Sequence, residues 1–457
     1  MPWDPEAARS LLAHSDAENL SYPPRGLRGH TDGPGGQWAR AGAALLPAWL
    51  RKALGGFVLV LVGCAIGRAS SGRRETVRYV LQPEEVGRAV NFTELRERPY
   101  DPLPPGIANA LTLNSSQCDA AFPLLWPEVE QTAAAFRYRA DLGRKGITMK
   151  DIEAVEQFDG SRVAVVDGQV YVKRFNGESK LRSEAILNSL QLAVKTSPEP
   201  FPDVEFVFRC TDNLDPGARF GLTKEHGGGQ MFLLPDFGFE SWPEPRVLGW
   251  QDARRKAMAV EEDLSWRKKE TKLFWRGALG LGNLRNALVD AANKHPWGDI
   301  GDLNWGNGEG RINMEDHCTR KFLASADSHS YSGRLKYLLL CRSVIVSHKK
   351  RWMQHFHPAL DGRDGSPTQN WVELKEESWA GLEEAMEGLI AEPARAEMIA
   401  ENAVRSMRDR YLTPASIACY WRRVLSEYAA LQRFTPTRGG IDFESFNLIR
   451  KIDFAPS

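Results

Sequence analysis

Three stretches of this chain put a reactive residue type where it could do chemistry. In KLFWRGALGLGN an apolar run ends at Trp275; Arg276, Gly277, Gly280 and Gly282 follow, and then a helical pattern begins. Backbone N–H groups at a helix start attract phosphate, glycine lets a ligand approach, and a guanidinium offers phosphate oxygens a planar fork. The dinucleotide fingerprint wants a small residue where Arg285 stands, so this is a different motif. In DSHSYSGRLKYLLLC, His329, Ser330, Tyr331, Ser332 and Gly333 precede an apolar helix with Arg334 in its first turn. Serine is a favoured N-cap. A cation there opposes the helix dipole and is easier to explain if it faces an anion. Two such arginine-bearing elements suggest a diphosphate held between them. Third, Asp212 ends the apolar run of PDVEFVFRCTD, where a carboxylate suits a general base for a hydroxyl proton. A turn aspartate capping NLDPG is the plainer account of the same residue.

Other clusters carry less. His226 precedes three glycines as in a lipase oxyanion segment, but no GxSxG accompanies it. His348, His355 and His357 have a spacing that fits no common metal site. No Asp-x-Asp follows a strand, so no carboxylate-held metal is indicated; Mn2+ stays open, and no permanently bound cofactor is expected. Lys plus Arg and Asp plus Glu both number 59, so no bulk field points to nucleic acid or an acidic lipid surface.

The elements that must position these residues follow from periodicity. SRVAVVDGQVYVKRF reads as a hairpin turning at Asp167-Gly168. SKLRSEAILNSLQLAVKT has helical spacing, and VEFVF, KLFW, RKFLAS and SVIVS read as strands. Residues 377–431 read as helical. Strands alternating with helices imply α/β architecture with largely parallel sheets, whose ligands sit beyond the carboxyl ends of the strands.

The first 120 residues differ. Residues 1–52, rich over 1–42 in Gly, Pro, Ala and Arg, read as a disordered tail. Residues 53–67, ALGGFVLVLVGCAIG, carry no charge and read as a short signal-anchor, with cleavage near Ala69 as the alternative. Residues 68–120 read as a stem carrying the glycosylation sequons Asn91-Phe92-Thr93 and Asn114-Ser115-Ser116. One or two disulfides would suit an oxidising lumen. The body is divided into 121–250 and 251–435, with 436–457 a tail.

The blocks PDVEFVFRCTD, PDFGFESWPEP, KLFWRGA, DHC, SHSYSGRLKYLLLCRSVIVSH, WMQHFHPAL and CYWRRVLSEYAAL, in this order, resemble the capsule-associated, Rumi-like glycosyltransferases of family ninety. The resemblance implies a GT-B fold: an acceptor-side Rossmann-like domain at 121–250, a UDP-sugar domain with closing helices at 251–435, and a cleft between them. It implies inverting transfer of glucose or xylose from a UDP-sugar to a hydroxyl of a glycan or protein. By the same resemblance Asp212 is the base, and Arg276, Gly277 and the segment His329, Ser330, Tyr331, Ser332, Gly333, Arg334 hold the donor. Phe237, Phe239 and Trp242 form an acceptor or sugar wall, and Cys318 pairs with Cys341. The family includes protein O-glucosyltransferases and fungal capsule xylosyltransferases; Thr211 stands where the former often carry arginine. The implied setting is a Golgi or ER membrane protein with a lumenal catalytic domain. The competing reading is a catalytically inactive transferase fold that binds glycans or scaffolds other enzymes.

Overall fold

The computed structural model describes residues 90–452, except 105, 138–142, 144–145, 157–159, 177–178, 212–216, 229, 244–246, 305–307 and 309. The expected tail and anchor at 1–67 therefore lie outside the described residues, as does Asp212. Among the described residues no helix is long and apolar enough to cross a membrane.

In chain order the helices are α1 (Phe92–Glu97), α2 (Ser115–Ala121), α3 (Trp126–Arg137), α4 (Met149–Glu156), α5 (Lys180–Lys195), α6 (Trp250–Asp263), α7 (Asn283–Ala292) and α8 (Leu335–Leu338). Then come α9 (Leu382–Ala391), α10 (Pro393–Ala403), α11 (Pro414–Leu431) and α12 (Phe443–Ile452), with a π-helical stretch over Val404–Tyr411 joining α10 towards α11. The sheet strands are β1 (Ser161–Val166), β2 (Gln169–Arg174), β3 (Val204–Phe208), β4 (Phe220–Gly221) and β5 (Phe232–Leu233). They continue with β6 (Glu270–Gly277), β7 (Gly298–Asp302), β8 (Arg320–Ser325), β9 (Val344–Ser347), β10 (Val372–Glu373) and β11 (Ile441–Asp442).

The first sheet has the order β11-β2-β1-β3-β4-β5. It is mixed rather than largely parallel. A two-residue loop can join only antiparallel strands, and Val166 pairs Gln169 across Asp167 and Gly168, both at positive φ. On the far side β3, β4 and β5 run parallel.

The second sheet has the order β7-β6-β8-β9-β10, with every pairing parallel. This is a doubly wound order whose direction of winding reverses between β6 and β8. Its strands are covered on both faces. Leu273 and Trp275, Phe322 and Ala324, and Val344 and Val346 face the cluster built with α7, α9 and α10. Phe274, Leu323 and Ile345 alternate into the other core, shared with Trp250, Tyr337 and the first sheet. That period of two is what a buried parallel strand requires.

Two segments read as peripheral belong to the body. Residues 90–120, expected as a stem, place Leu95, Leu103, Leu113 and Cys118 in the main core. Arg410, fully buried, donates from its guanidinium to the carbonyls of Leu95, Arg98, Asp101 and Ala121 at 2.6–2.9 Å. A disulfide joins Cys118 on α2 to Cys419 on α11. The expected tail at 436–457 adds β11 antiparallel to β2 and buries Phe443 and Phe446 of α12. Both sequon asparagines are N-caps. Exposed Asn91 accepts from the Glu94 N–H at 3.3 Å, and half-buried Asn114 accepts from the Gln117 N–H at 2.9 Å.

Candidate active site

The end of β6 and the loop beyond β8 flank the point where the second sheet reverses, and they carry the two arginines singled out by sequence: Arg276 is the penultimate residue of β6, and Arg334 follows the loop beyond β8. Arg285 on α7 ties the loops together. Its Nη1 donates to the Ala278 carbonyl at 2.9 Å and its Nε to that of Asp327 at 3.3 Å. Gly282 turns the first loop at φ +128°, a conformation that favours glycine, and brings it into ordinary contact with the Ser328 carbonyl, 3.7 Å from where a Cβ would stand. Gly277 leaves room for Trp275 and for the Arg334 guanidinium, which a Cβ would approach to 3.2 Å.

The arginines are not equivalent. Arg276 stacks on Phe274, 4.4 Å from the ring centre, and its Nη2 meets the Asp299 carboxylate at 2.5 Å. Its Nη1 donates to the carbonyls of Asp299 and Trp275. Half-buried Arg334 donates to the Arg276 carbonyl and lies 5.5 Å from the Trp275 ring centre. Among the described residues no carboxylate pairs with it. Burial, and then the Arg285 charge, push its pKa down to about 10, so it stays cationic at neutral pH. The helix that follows is a single turn, shorter than the sequence suggests, and Arg334 is its N-cap.

Arg276 and Arg334 line a cavity of about 210 Å³ together with Trp242, Lys256, Arg311 and His317. His317 donates from Nδ1 to the Asn313 carbonyl at 3.1 Å and packs edge-on to Phe274. Burial, and then Arg334, push its pKa down to about 3, which holds it neutral. The adjoining Cys318 is bonded to Cys341, the pairing expected from the resemblance.

The remaining site residues divide between surface and interior. His329 is exposed, Ser332 and Gly333 are half-buried, and Ser330 is fully buried. Tyr331 turns inward and donates to Asp236 Oδ2 at 2.6 Å. Asp236 also forms a fully buried ion pair with Lys336 at 2.7 Å, while the ammonium donates to the Gly333 carbonyl at 2.7 Å. Phe237, Phe239, Trp242 and Tyr337 surround that ammonium at 4.9–5.8 Å. Of the three aromatic residues expected as a wall, Trp242 lines the cavity with the arginines. Phe237 and Phe239 are buried beneath it. Thr211, next to Asp212, keeps its hydroxyl buried and unpartnered, and Cys210 is a buried free thiol.

The family model for glycosyl transferase family 90 matches residues 138–440. The chain belongs to that family. Among curated relatives, it is 24% identical to the O-glucosyltransferase rumi homolog of Anopheles gambiae, over 78% of this chain and 90% of that one. The rumi homolog of Aedes aegypti is also 24% identical, over 64% and 76%. Protein O-glucosyltransferase 1 of Homo sapiens is 26% identical over 52% of this chain and 65% of its own. Among solved structures, the Anabaena protein HepE in complex with UDP is similar over 44% of this chain and 56% of its own, at 11% identity and a TM-score of 0.25. That likeness is too low to carry an argument.

For this family 90 glycosyltransferase, sequence reasoning missed Asp299, Asp236, Lys336 and His317. His317 stood in the quoted block DHC, which was read for its cysteine. Asp236 stood in PDFGFESW, which was read for its aromatics.

Proposed function

We propose that the enzyme is an inverting transferase of GT-B type that moves glucose or xylose from a UDP-sugar to a hydroxyl of a glycan or protein. The observation that carries this is Arg334, a half-buried guanidinium with no carboxylate partner among the described residues, on a cavity at the reversal point of a parallel sheet. A charge in such a place is costly unless an anion completes it, and a nucleotide diphosphate has the required charge and shape. The names of the curated relatives support glucose as one donor sugar.

On this reading Arg334 and Arg276 hold the diphosphate and take up its charge as the glycosidic bond breaks. The acceptor oxygen attacks the anomeric carbon from the opposite face. Asp212 removes the hydroxyl proton, and UDP leaves with the bonding electrons. Asp212 enters through the family resemblance. Two internal disulfides, the sequons at Asn91 and Asn114 and the apolar run 53–67 support a membrane-anchored protein of the Golgi or ER lumen.

The test is UDP release by the full chain across UDP-glucose, UDP-xylose and UDP-galactose, with and without Mn2+. Turnover with one of them is expected. Asp212→Asn should lower it by about 10²–10⁴-fold with UDP affinity retained. Release of no UDP from any donor would favour the scaffold reading; unaltered turnover in Asp212→Asn would remove the base assignment.

A further inference from the structure

Two residues lining the cavity beside Arg334 carry buried polar atoms of opposite kind that no described residue satisfies. The first is His317 Nε2. Its ring is 4% exposed, and Nδ1 faces the Asn313 carbonyl, which can only accept. The proton therefore sits on Nδ1, and Nε2 presents a lone pair. The second is Trp242 Nε1, an indole N–H that can only donate. Both residues line the same cavity as the two arginines.

Their placement is rigid. His317 belongs to a short 3₁₀ turn, Glu315–Thr319, and packs against Phe274, the same ring that carries Arg276. The Cys318–Cys341 disulfide clips that turn to the segment following α8, so the imidazole and Arg334 are held by one covalent link. Trp242 is wedged against Phe237 and Tyr337 at ring-centre distances of 5.6 and 6.0 Å. Buried polar groups are nearly always hydrogen-bonded. Two residues of one cavity wall thus carry an unpartnered acceptor and an unpartnered donor, and a ligand edge with the complementary pattern would satisfy both once the rings turn to meet it.

We propose that His317 and Trp242 determine donor specificity: Nε2 of the imidazole accepts a hydrogen bond from an N–H or O–H of the nucleotide sugar, and the indole N–H donates to one of its oxygens. The inference rests on the UDP-sugar reading above and deepens it. Two parts of such a donor carry this pattern, the imide edge of uracil and the hydroxyls of the transferred sugar. The imidazole acts by hydrogen bonding in its neutral form.

The experiment is calorimetric titration of UDP, UDP-glucose and UDP-xylose into the full-length chain and its variants. His317→Phe keeps a flat ring against Phe274 and deletes both the lone pair and the Nδ1–H that serves the Asn313 carbonyl. His317→Gln returns an acceptor at similar reach. Affinity should fall on the order of tenfold in His317→Phe and recover largely in His317→Gln, compared at a temperature where both variants are folded, because the Asn313 carbonyl left unpaired lowers the melting temperature of His317→Phe. A loss already seen with UDP assigns the contact to the nucleoside; a loss confined to the sugar nucleotides assigns it to the transferred sugar. Wild-type affinity of His317→Phe for all three would overturn the proposal. Should that variant not fold, Trp242→Phe removes the indole N–H together with part of the ring's bulk, and unchanged affinity there would overturn it equally. Absence of UDP binding by the wild type would instead refute the donor reading itself.

Discussion

Acid should unfold this protein well before its carboxylates protonate. His317, His348, His355 and His357 are each at least nine-tenths buried. Burial pushes their pKa values down, to about 3, 4 and 3 for the first three and well below the usual histidine range for His357; Arg334, Lys350, Lys336 and Lys350 respectively add to it. In the unfolded chain a histidine titrates near 6.5. Below that pH the unfolded state takes up four protons that the folded state refuses, so stability falls as pH drops through 6.5. Each proton is worth about 1.4 kcal/mol per pH unit. Between pH 7.5 and 5.5 the four together cost on the order of 5 kcal/mol, comparable to the whole stability of a small domain. Half-buried Glu184 and Glu240, whose pKa values burial raises, work in the opposite direction and offset part of this. Guanidinium denaturation of the full chain at pH 7.5, 6.5 and 5.5 measures the slope. His355→Phe isolates one proton of it. That ring lies among Phe239, Phe356 and Tyr420, and neither nitrogen has a partner among the described residues. The variant should match or exceed wild-type stability at pH 7.5 and lose stability with acid by about one proton less. A flat wild-type profile, or an unchanged slope in His355→Phe, would refute the reasoning.

Arg410→Met should cost roughly 3 kcal/mol or more in denaturation midpoint, because it orphans the carbonyls of residues 95–121 that the guanidinium satisfies. Replacing both Cys118 and Cys419 by serine frees a loop of sequence separation 301 and should cost roughly 2–5 kcal/mol, read as a lower melting temperature under non-reducing conditions. Arg334→Ala should weaken UDP binding more than Arg276→Ala does, since Asp299 already neutralises part of the Arg276 charge; equal losses by calorimetry would count against the difference drawn between them. Asp236→Asn should lower stability by roughly 3–5 kcal/mol by leaving the Lys336 ammonium buried without its counterion.

Local signals were read well from the chain. Asp167-Gly168 specified its hairpin because both residues must adopt positive φ, and a two-residue loop leaves one register. The helix at 180–195 and the strands ending at Gly277 and Ser325 announced themselves by period and punctuation. Failures came where the partner lies far along the sequence. Nothing within residues 90–120 shows that Arg410 and Cys419, some three hundred positions later, hold that segment to the body. Likewise the strand at 441–442 has no alternation to display in two residues. It exists because β2 offers an unpaired edge. Phe237 and Phe239 were read as a wall because the block PDFGFESWPEP resembles the family's acceptor-side or sugar-side loop. Lys336, approaching from another element, turns them into the lining of a buried cation site.

The same non-locality separates the two arginines. From sequence, each is a guanidinium after a strand, and a symmetrical clamp is the natural expectation. The parallel neighbour β7 sets Asp299 opposite Phe274 and Gly301 opposite Arg276. The glycine lets the Arg276 side chain lie flat across β7, with its Cδ and Nε 3.1 Å from where a Cβ would stand. The carboxylate then fixes it. A guanidinium held this way is pre-organised but half-neutralised. Arg334 is less constrained by ion pairing and retains its full charge in a partly desolvated setting, where Coulomb attraction is stronger than in water. A diphosphate entering the cavity would gain orientation chiefly from the first and binding energy chiefly from the second. Because Arg334 also donates to the Arg276 carbonyl, the two are mechanically joined: displacing either guanidinium from its place disturbs the backbone that presents the other.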